Sequence, residues 1–463
     1  MVSELTELTK GVKDLLGDPK KALLKIAVPM MIAMFILIIY QLVDGFWIAG
    51  LGADALSGVG LLFPFFLIIM AIGAGLGTGG SAAISRKLGE KNKKEADFTA
   101  IHTIVIGILS GLLITIIFTP VLEIIFSFMT NKEIVILYAV EYGLIIFLGA
   151  VIIIFANVAN AILRGEGDAK KAMYGLIVGS ALNIILDPIF IYYFNMGVSG
   201  AAWATILSLA VSSFIFIFWF VISKTTYLTF SFKNFKFKKS ILKEILKVGI
   251  PASLGQLSIS VSLIMLNIVV ILAGGTNGVA VFTSGWRVIM IGVIPLLGLS
   301  AAIEVVSGAA FGAKDKEKMD IIFYYSIKIG FLIEVAVLLF VFLFAEYLAL
   351  MFSYAEPNPE IIKQPLITFL RFTSPYYIII PIGVTAASIF RGIGKGIYSL
   401  ILIALRVVFL QVLFTYLLGV YFGYGLIGIW LGYIIGTMCS SIISFTWSRY
   451  TLKKIFSKNS FSV

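Results

Sequence analysis

The chain has 463 residues, of which 60% are hydrophobic and only 13% are charged, and its formal net charge is +11. Soluble domains carry about 25% charged residues, so a water-soluble fold of this composition could not cover its own surface. The single cysteine, Cys439, excludes an intrachain disulfide. We therefore expect an all-α polytopic membrane protein with no nucleic-acid partner, because the basic residues are better explained as membrane topology signals.

Twelve apolar segments are each long enough to cross the bilayer, which takes about 20 helical residues. The polar, lysine-rich residues before the first segment lack the pattern of a cleavable signal peptide. The predicted spans are 26–49, 58–81, 99–122, 135–160, 172–194, 200–222, 246–272, 284–309, 321–345, 365–390, 398–420 and 426–448. Their even number predicts that both termini lie on the same side of the membrane.

Lysine and arginine are distributed unevenly between the connecting loops. The termini and alternate loops together hold 29 of them, whereas the opposite loops hold only Lys132 and Lys363. Cytoplasmic loops of membrane proteins are enriched in basic residues. We therefore expect a multi-pass protein of the cell membrane with both termini in the cytoplasm, in contact with membrane lipids.

The chain divides nearly in half at a basic segment that follows the sixth span. We assign residues 1–222 to an N-terminal six-helix lobe, 223–245 to a basic cytoplasmic linker and 246–463 to a C-terminal six-helix lobe. The linker alternates lysines with aromatic residues in the stretch TFSFKNFKFKKS. This pattern predicts an amphipathic segment that lies on the inner leaflet.

The two halves resemble each other. A glycine-flanked arginine follows the fourth span of each half, at Arg164 and Arg391, and the first spans begin alike with LLKIAVP and ILKVGIP, which end at Pro29 and Pro251. Six helices per half give both copies the same orientation, so they are related by an axis along the membrane normal. Two pseudo-symmetric lobes of this kind predict a transporter with its pathway between them.

Ionisable residues inside the bilayer are costly and are functional candidates. Asp44, Asp187 and Thr205 lie in the outer parts of three N-terminal spans, roughly 8–11 Å inside the boundary at a rise of 1.5 Å per residue, and Asn183 lies one turn deeper. Their oxygens suit a proton or Na⁺. Alternatively, each aspartate stabilises a broken helix, as beside Pro188.

Other polar residues give weaker predictions. An N-terminal cavity is expected to include the side chains of Tyr40, Gln41, Tyr142, Asn157 and Asn160. Proline at 29 is a candidate hinge in the first span. In the C-terminal half, Glu334 and Arg406 suggest a structural ion pair, a coupling site or a cavity lining, and Glu304 has no assigned role. His102, near the inner end of the third span, is expected to be exposed at the interface.

No catalytic constellation is visible. The chain has no Walker A sequence, no HExxH motif and no cluster of cysteine and histidine. We therefore expect a transporter rather than an enzyme, with no cofactor other than a coupling ion, H⁺ or Na⁺.

Several stretches resemble the multidrug and toxic compound extrusion (MATE) family. They are VDGFWIAGLGADALSGVG, SAAISRKLGEKNKKEAD, LRGEGDAKKAMYGLIVGSALNIILDPIFIYYFNMGVSGAAWATILS, GLSAAIEVVSGAAFGAKDKEK and FRGIGKG. The resemblance implies twelve helices in two lobes that form a V around a central cleft. It also implies export of cationic, amphipathic compounds in exchange for H⁺ or Na⁺.

The resemblance is closer to the DinF-like and archaeal branch of the family. In that branch the cation site lies in the N-terminal lobe, and its motif residues match Asp44, Asn183, Asp187 and Thr205. The NorM-like branch has acidic residues in its seventh and tenth helices. Here those helices offer Gln256, Asn267 and Arg371, so no cation site is expected in the C-terminal lobe.

Two other classes of function compete with drug export. A flippase for a lipid-linked precursor would need a cavity rich in fixed positive charge. Here we expect mostly acidic cavity charges, with only Arg371 and Arg406 deep enough to oppose them. A channel, receptor or membrane enzyme is disfavoured by the internal repeat and by the missing catalytic residues. A single chain already supplies both lobes, so we expect a functional monomer.

Overall fold

The structure is a computed structural model that describes residues 8–231, 235–353 and 359–457. Residues 232–234 of the predicted linker lie outside this description. The described residues form helices joined by short connections, with no β-strand among them. The all-α membrane fold is therefore confirmed.

The N-terminal half begins with a short helix that the hydropathy pattern did not predict. Each later helix overlaps a predicted span, except that α5 lies almost entirely between the third and fourth predicted spans. The helices are α1 (Lys10–Leu16), α2 (Pro19–Ala49), α3 (Ala53–Gly89), α4 (Lys93–Phe118), α5 (Leu122–Met129), α6 (Glu133–Leu148), α7 (Ala150–Gly165), α8 (Ala169–Pro188) and α9 (Gly197–Ile217). One turn of 3₁₀-helix joins α4 to α5, and π-helical turns extend α8 and α9 to Tyr193 and Ile222.

The first helix of the C-terminal half begins at Lys239, seven residues before the predicted start of that lobe and within the predicted linker. Its helices are α10 (Lys239–Gly312), α11 (Lys316–Leu343), α12 (Ala345–Ser353), α13 (Pro359–Thr373), α14 (Pro375–Gly392), α15 (Gly396–Ala404), α16 (Gln411–Tyr416) and α17 (Gly425–Ser457). Two π-helical segments interrupt and extend the α15–α16 span, at Leu405–Leu410 and Leu417–Tyr421.

Among the described residues, nine helices are individually long and apolar enough to cross a membrane. Two further spans are bent by 50°, at the α6–α7 and α13–α14 junctions, which raises the count to eleven. The count of twelve stays a prediction, and it depends on whether the 74-residue α10 crosses the membrane once or twice.

The geometry of α10 supports two crossings. A straight helix of this length would extend about 110 Å, but Gly275 adopts φ 61° and ψ −160° and breaks it. Val270 Cγ1 lies 3.4 Å from where a Cβ on Gly278 would stand, although eight residues of straight helix span about 12 Å. Only glycine adopts such a backbone conformation without a steric penalty. The chain therefore turns back on itself at Gly275.

The two lobes meet in the half of the molecule that the sequence predicts to be cytoplasmic. Near Gly79, α3 contacts the backbone of α10 at Ile245 and Gly249, and nearer its end it contacts the other arm of α10 at Gly312. Both arms of α10 thus reach the same end of α3. Small residues at these crossings let helix backbones approach closely, as is usual between helices in membranes.

Part of the linker packs against the N-terminal lobe, and its predicted position on the inner leaflet stays a prediction. Leu228 is buried, and Phe230 stacks on Phe220 with ring centroids 4.4 Å apart. The carboxylate of Glu166 accepts hydrogen bonds from two linker amides, at Tyr227 and Leu228, both at 3.1 Å.

His102 also holds the linker, so its predicted exposure is wrong. The ring is fully buried and lies between Phe235 and Phe237. Its Nε2 accepts a hydrogen bond from the Lys238 amide at 2.9 Å, and its Nδ1 lies 2.7 Å from the Phe98 carbonyl oxygen. Hydropathy predicts a position near the membrane boundary for His102 but could not show that the linker covers it.

Candidate functional site

A central cavity of about 440 Å³ lies between the two lobes. Binding sites for drug-sized ligands commonly have volumes of this order. Apolar residues of both lobes form much of its wall, among them Met34, Phe66, Met70, Ile259 and Leu297. Such a wall can hold amphipathic molecules through buried apolar area with little directional specificity.

The cavity is closed at the end of the molecule that the sequence predicts to be cytoplasmic. Ser253 donates to the Ala71 carbonyl, and Ser81 donates to Glu304 across the lobes at 2.7 Å. Arg86 donates to the Gly392 carbonyl at 2.8 Å. In the outer half, no hydrogen bond joins the lobes among the residues that the structure describes. With the predicted orientation, this is the arrangement of an outward-facing transporter.

The predicted polar residues of α2, α8 and α9 come together in the N-terminal lobe. The Asn183 amide donates to Asp187 at 3.3 Å and to Thr205 at 3.4 Å. The carboxyl groups of Asp44 and Asp187 interact directly. Asp187 is fully buried and Asn183 is 2% exposed. The helical spacing of four between 183 and 187, together with equal depth in the neighbouring helices, produces this cluster.

Three oxygens of this cluster have no hydrogen-bond partner among the described residues. They are Asp44 Oδ1, Asn183 Oδ1 and Asp187 Oδ2. Buried polar atoms are normally paired. These unpaired oxygens are therefore available to bind a proton or a hard cation that prefers oxygen ligands. No group of three or more histidine, cysteine or acidic side chains that could hold a metal occurs in the described ranges.

The cluster and the cavity share a wall. Tyr40, Asn183 and Thr205 belong to the cluster or its edge and also line the cavity. Tyr142 is buried beside Thr205 and both aspartates rather than on the cavity surface. A change in charge or hydration at the cluster therefore acts on the cavity wall directly.

Two of the remaining predicted cavity residues reach the cavity and one does not. Asn157 and Asn160 line it, and the Asn160 amide also donates to the Ala172 carbonyl at 2.8 Å. Gln41 is exposed and is not part of the cavity wall. Adjacent residues of a helix point about 100° apart, so Gln41 can face away although Tyr40 lines the cavity.

The predicted hinge, Pro29, lies in an unbroken α2 and is buried. Close to it, the backbone of Met31 contacts α10 of the other lobe at Gly298. Bending of α2 at this position would therefore change an interlobe contact. The hinge role itself stays a prediction.

The fixed charges of the cavity differ from the sequence-based expectation of a mostly acidic wall. Three arginines line the cavity, Arg164, Arg391 and Arg406, whereas Glu304 is the only carboxylate among the lining residues. Arg391 pairs with Glu304 at 3.1 Å. Hydropathy and depth could not show which loop-proximal arginines turn inward. The signal that could have found two of them is the glycine-flanked arginine repeated in both halves.

Two predicted roles in the C-terminal half are corrected. Arg371 pairs with Glu346 at 2.9 Å near the outer surface, and it is not part of the cavity wall. Glu334 and Arg406 do not form an ion pair, since neither Glu334 oxygen nor Arg406 Nε has a partner among the described residues. Opposite charges on different helices pair only when both side chains point towards each other, and the sequence does not show in which direction each one points.

Comparison with known proteins decides the family. The MatE family pattern matches this chain twice, over residues 29–189 and 251–417. The chain belongs to the MATE family. The two matches begin at Pro29 and Pro251, the prolines from which the internal repeat was aligned.

Similar proteins agree with this assignment. A relative from Staphylococcus haemolyticus, the multidrug export protein MepA, is 28% identical and covers 92% of each chain. A solved MOP superfamily transporter from Pyrococcus furiosus is 44% identical with a TM-score of 0.94, over 98% of this chain and 100% of that one. A MATE transporter solved in an outward-facing conformation has a TM-score of 0.95 at 44% identity, over 97% and 100%.

These similarities make this MATE protein a multi-pass transporter of the multidrug efflux type and not an enzyme. They do not favour the flippase alternative, although the arginines of the cavity remove the electrostatic argument against it. The branch within the family, the domain boundaries, the orientation of the termini and the plasma-membrane location stay predictions.

Proposed function

We propose that this MATE protein exports cationic amphipathic compounds in exchange for H⁺ or Na⁺, with the coupling ion bound at Asp44, Asn183, Asp187 and Thr205. The observation that carries the proposal is the shared wall, because the same side chains face the ion cluster and the drug cavity. Two adjacent carboxyl groups in a dry site cannot both stay ionised without a bound ion. H⁺ or Na⁺ must therefore bind before the two carboxyl groups can be sealed from water together.

The charges around the cavity give the substrate a preferred orientation. The arginines of the wall lie at its cytoplasmic end and in the C-terminal lobe, whereas the aspartates lie behind the N-terminal wall. A cationic amphipath would place its charge towards Asp44 and Asp187 when these have lost their ion. Rebinding of H⁺ or Na⁺ would then compete with the drug and release it outward.

The test is drug efflux from sealed vesicles with the H⁺ and Na⁺ gradients imposed separately. We expect one gradient to drive export, and Asp44→Asn and Asp187→Asn each to abolish it while the protein still folds. Asp54→Asn is the matched control, since Asp54 is an exposed outer aspartate paired with Lys132. Coupled export that survives both cluster substitutions would exclude this mechanism.

Matched dyes that differ only in charge test the substrate class. A cationic dye should be exported and should compete with the coupling ion for binding. Export of the anionic member alone would reject a cationic substrate while leaving the ion site intact.

A further inference from the structure

The C-terminal lobe contains a buried carboxyl group that the coupling mechanism above does not use. Glu334 lies in the middle of α11 and is 0% exposed. Among the described residues, neither of its oxygens accepts a hydrogen bond and no basic side chain forms an ion pair with it. Structural carboxylates are normally paired when buried, so this carboxyl group has no structural explanation.

The surroundings of Glu334 hold neutral groups that can donate or accept protons. Tyr376 and Tyr377 of α14 lie within electrostatic range of it. The Tyr377 hydroxyl is buried and has no hydrogen-bond partner among the described residues. One turn before Glu334, Gly330 packs tightly on Pro381 of α14.

A buried carboxylate without a partner costs several kcal/mol in an apolar medium. Protonation removes that cost, so burial without a partner favours the neutral form of Glu334. A neutral acid without a hydrogen bond gains little stability from its position, and a leucine or methionine would pack there at lower cost. The carboxyl group is therefore better explained by proton exchange than by packing.

A line of polar groups leads from the cavity towards Glu334. Arg406, Ser440 and Ser444 line the cavity, and Arg406 interacts with Tyr376 and Tyr433. The rings of Tyr376 and Tyr433 are 5.1 Å apart. The Tyr433 hydroxyl and both serine hydroxyls have no partner among the described residues. Unpaired buried polar atoms are the usual positions of bound water, which could complete a proton path.

We propose that Glu334 is a second proton-carrying group, in the C-terminal lobe, that exchanges its proton with the central cavity past Tyr377, Tyr376 and Tyr433. On deprotonation the Glu334 O–H bond breaks and water in the cavity accepts the proton. Its participation in transport rests on the proposed function, whereas its protonation does not. The N-terminal aspartates and Glu334 would then load protons in separate lobes.

Infrared difference spectroscopy of the purified full-length protein tests the protonation. Spectra recorded at acidic and alkaline pH should contain a protonated-carboxyl C=O band that is absent in Glu334→Gln. Glu334→Asp, which keeps the acid if the amide variant folds poorly, should shift that band instead. If the band is unchanged in Glu334→Gln, or if Glu334 never titrates, the proposal is wrong.

Proton-coupled drug transport in vesicles tests the role. Glu334→Gln should lower the number of protons exchanged per drug molecule by one, with drug binding retained. Glu346→Gln, an exposed glutamate of the neighbouring α12, should leave the ratio unchanged. An unaltered ratio in Glu334→Gln refutes coupling by this group. If no gradient drives export even by the unaltered protein, the proposed function fails, while the infrared result still decides whether Glu334 carries a proton.

Discussion

Glu166 connects the cytoplasmic linker to the N-terminal lobe, and its attachment should depend on pH. The side chain is 1% exposed and holds two linker amides through one oxygen. Burial raises the pKa of this carboxyl group from 4.5 to about 8, despite the opposing effect of the two hydrogen bonds. When the linker detaches, water reaches Glu166 and restores its ordinary pKa.

The direction of the pH effect follows from proton uptake. Between pH 4.5 and pH 8, the docked state binds more protons than the opened state, so docking weakens as pH rises. One pKa unit equals 1.36 kcal/mol, which sets an upper limit of about 5 kcal/mol for the whole interval. From pH 6 to pH 8 the equilibrium constant for linker opening should rise roughly 50-fold. The rise is less than 100-fold because Glu166 of the docked state is already half ionised at pH 8.

Hydrogen–deuterium exchange at the amides of Tyr227 and Leu228, corrected for the intrinsic pH dependence of exchange, measures this equilibrium. Glu166→Gln keeps an oxygen acceptor but cannot ionise, so its opening should be far less dependent on pH. Glu90→Gln, an exposed substitution near the same membrane face, is the control. The carboxylate of Asp97 accepts a hydrogen bond from the amide of Thr229 in the linker, and burial raises the pKa of Asp97 as well. Asp97 therefore contributes a pH dependence of linker opening with the same sign. Equal pH dependence in wild type and Glu166→Gln would refute the reasoning.

Two further predictions concern the cytoplasmic seal between the lobes. Gly312→Val would push its side chain into the backbone of α3 at Arg86, so spin labels on the cytoplasmic ends of the two lobes should report a larger separation. Glu304→Gln removes the partner of Arg391, a pair whose side chains are 6% and 14% exposed. Breaking a buried pair costs about 3–5 kcal/mol, which should lower the thermal midpoint of the purified protein.

Each of these predictions has a matched control. Gly60→Val should leave the label distances unchanged, since a Cβ at Gly60 would meet no atom within 4 Å. Glu346→Gln breaks an exposed ion pair, and such pairs contribute about 0–1 kcal/mol. A midpoint that falls equally in Glu304→Gln and Glu346→Gln would contradict the assigned burial effect. Unchanged distances in Gly312→Val would show that the seal tolerates a larger side chain there.

The sequence predicted the membrane fold because lipid acts on local properties of the chain. Apolar length alone places helices such as α2 and α17, and the sidedness of lysine and arginine predicts their orientation. The cluster of Asp44, Asn183 and Asp187 was also predictable. Asp44 and Asp187 share one depth and Asn183 lies one turn deeper on the same helix face as Asp187, and such depths follow from counting residues at a fixed rise per residue.

The rotation of each helix and the contacts between distant segments were decided only by tertiary structure. Arg164 and Arg391 turn into the cavity, and Glu334 is sealed without a partner, because packing between helices sets which face points where. The docking of the linker on Glu166 and His102 joins residues more than 60 and 130 positions apart. Hydropathy gives the depth of a residue in the membrane, whereas its neighbours at that depth depend on the packing of the whole bundle.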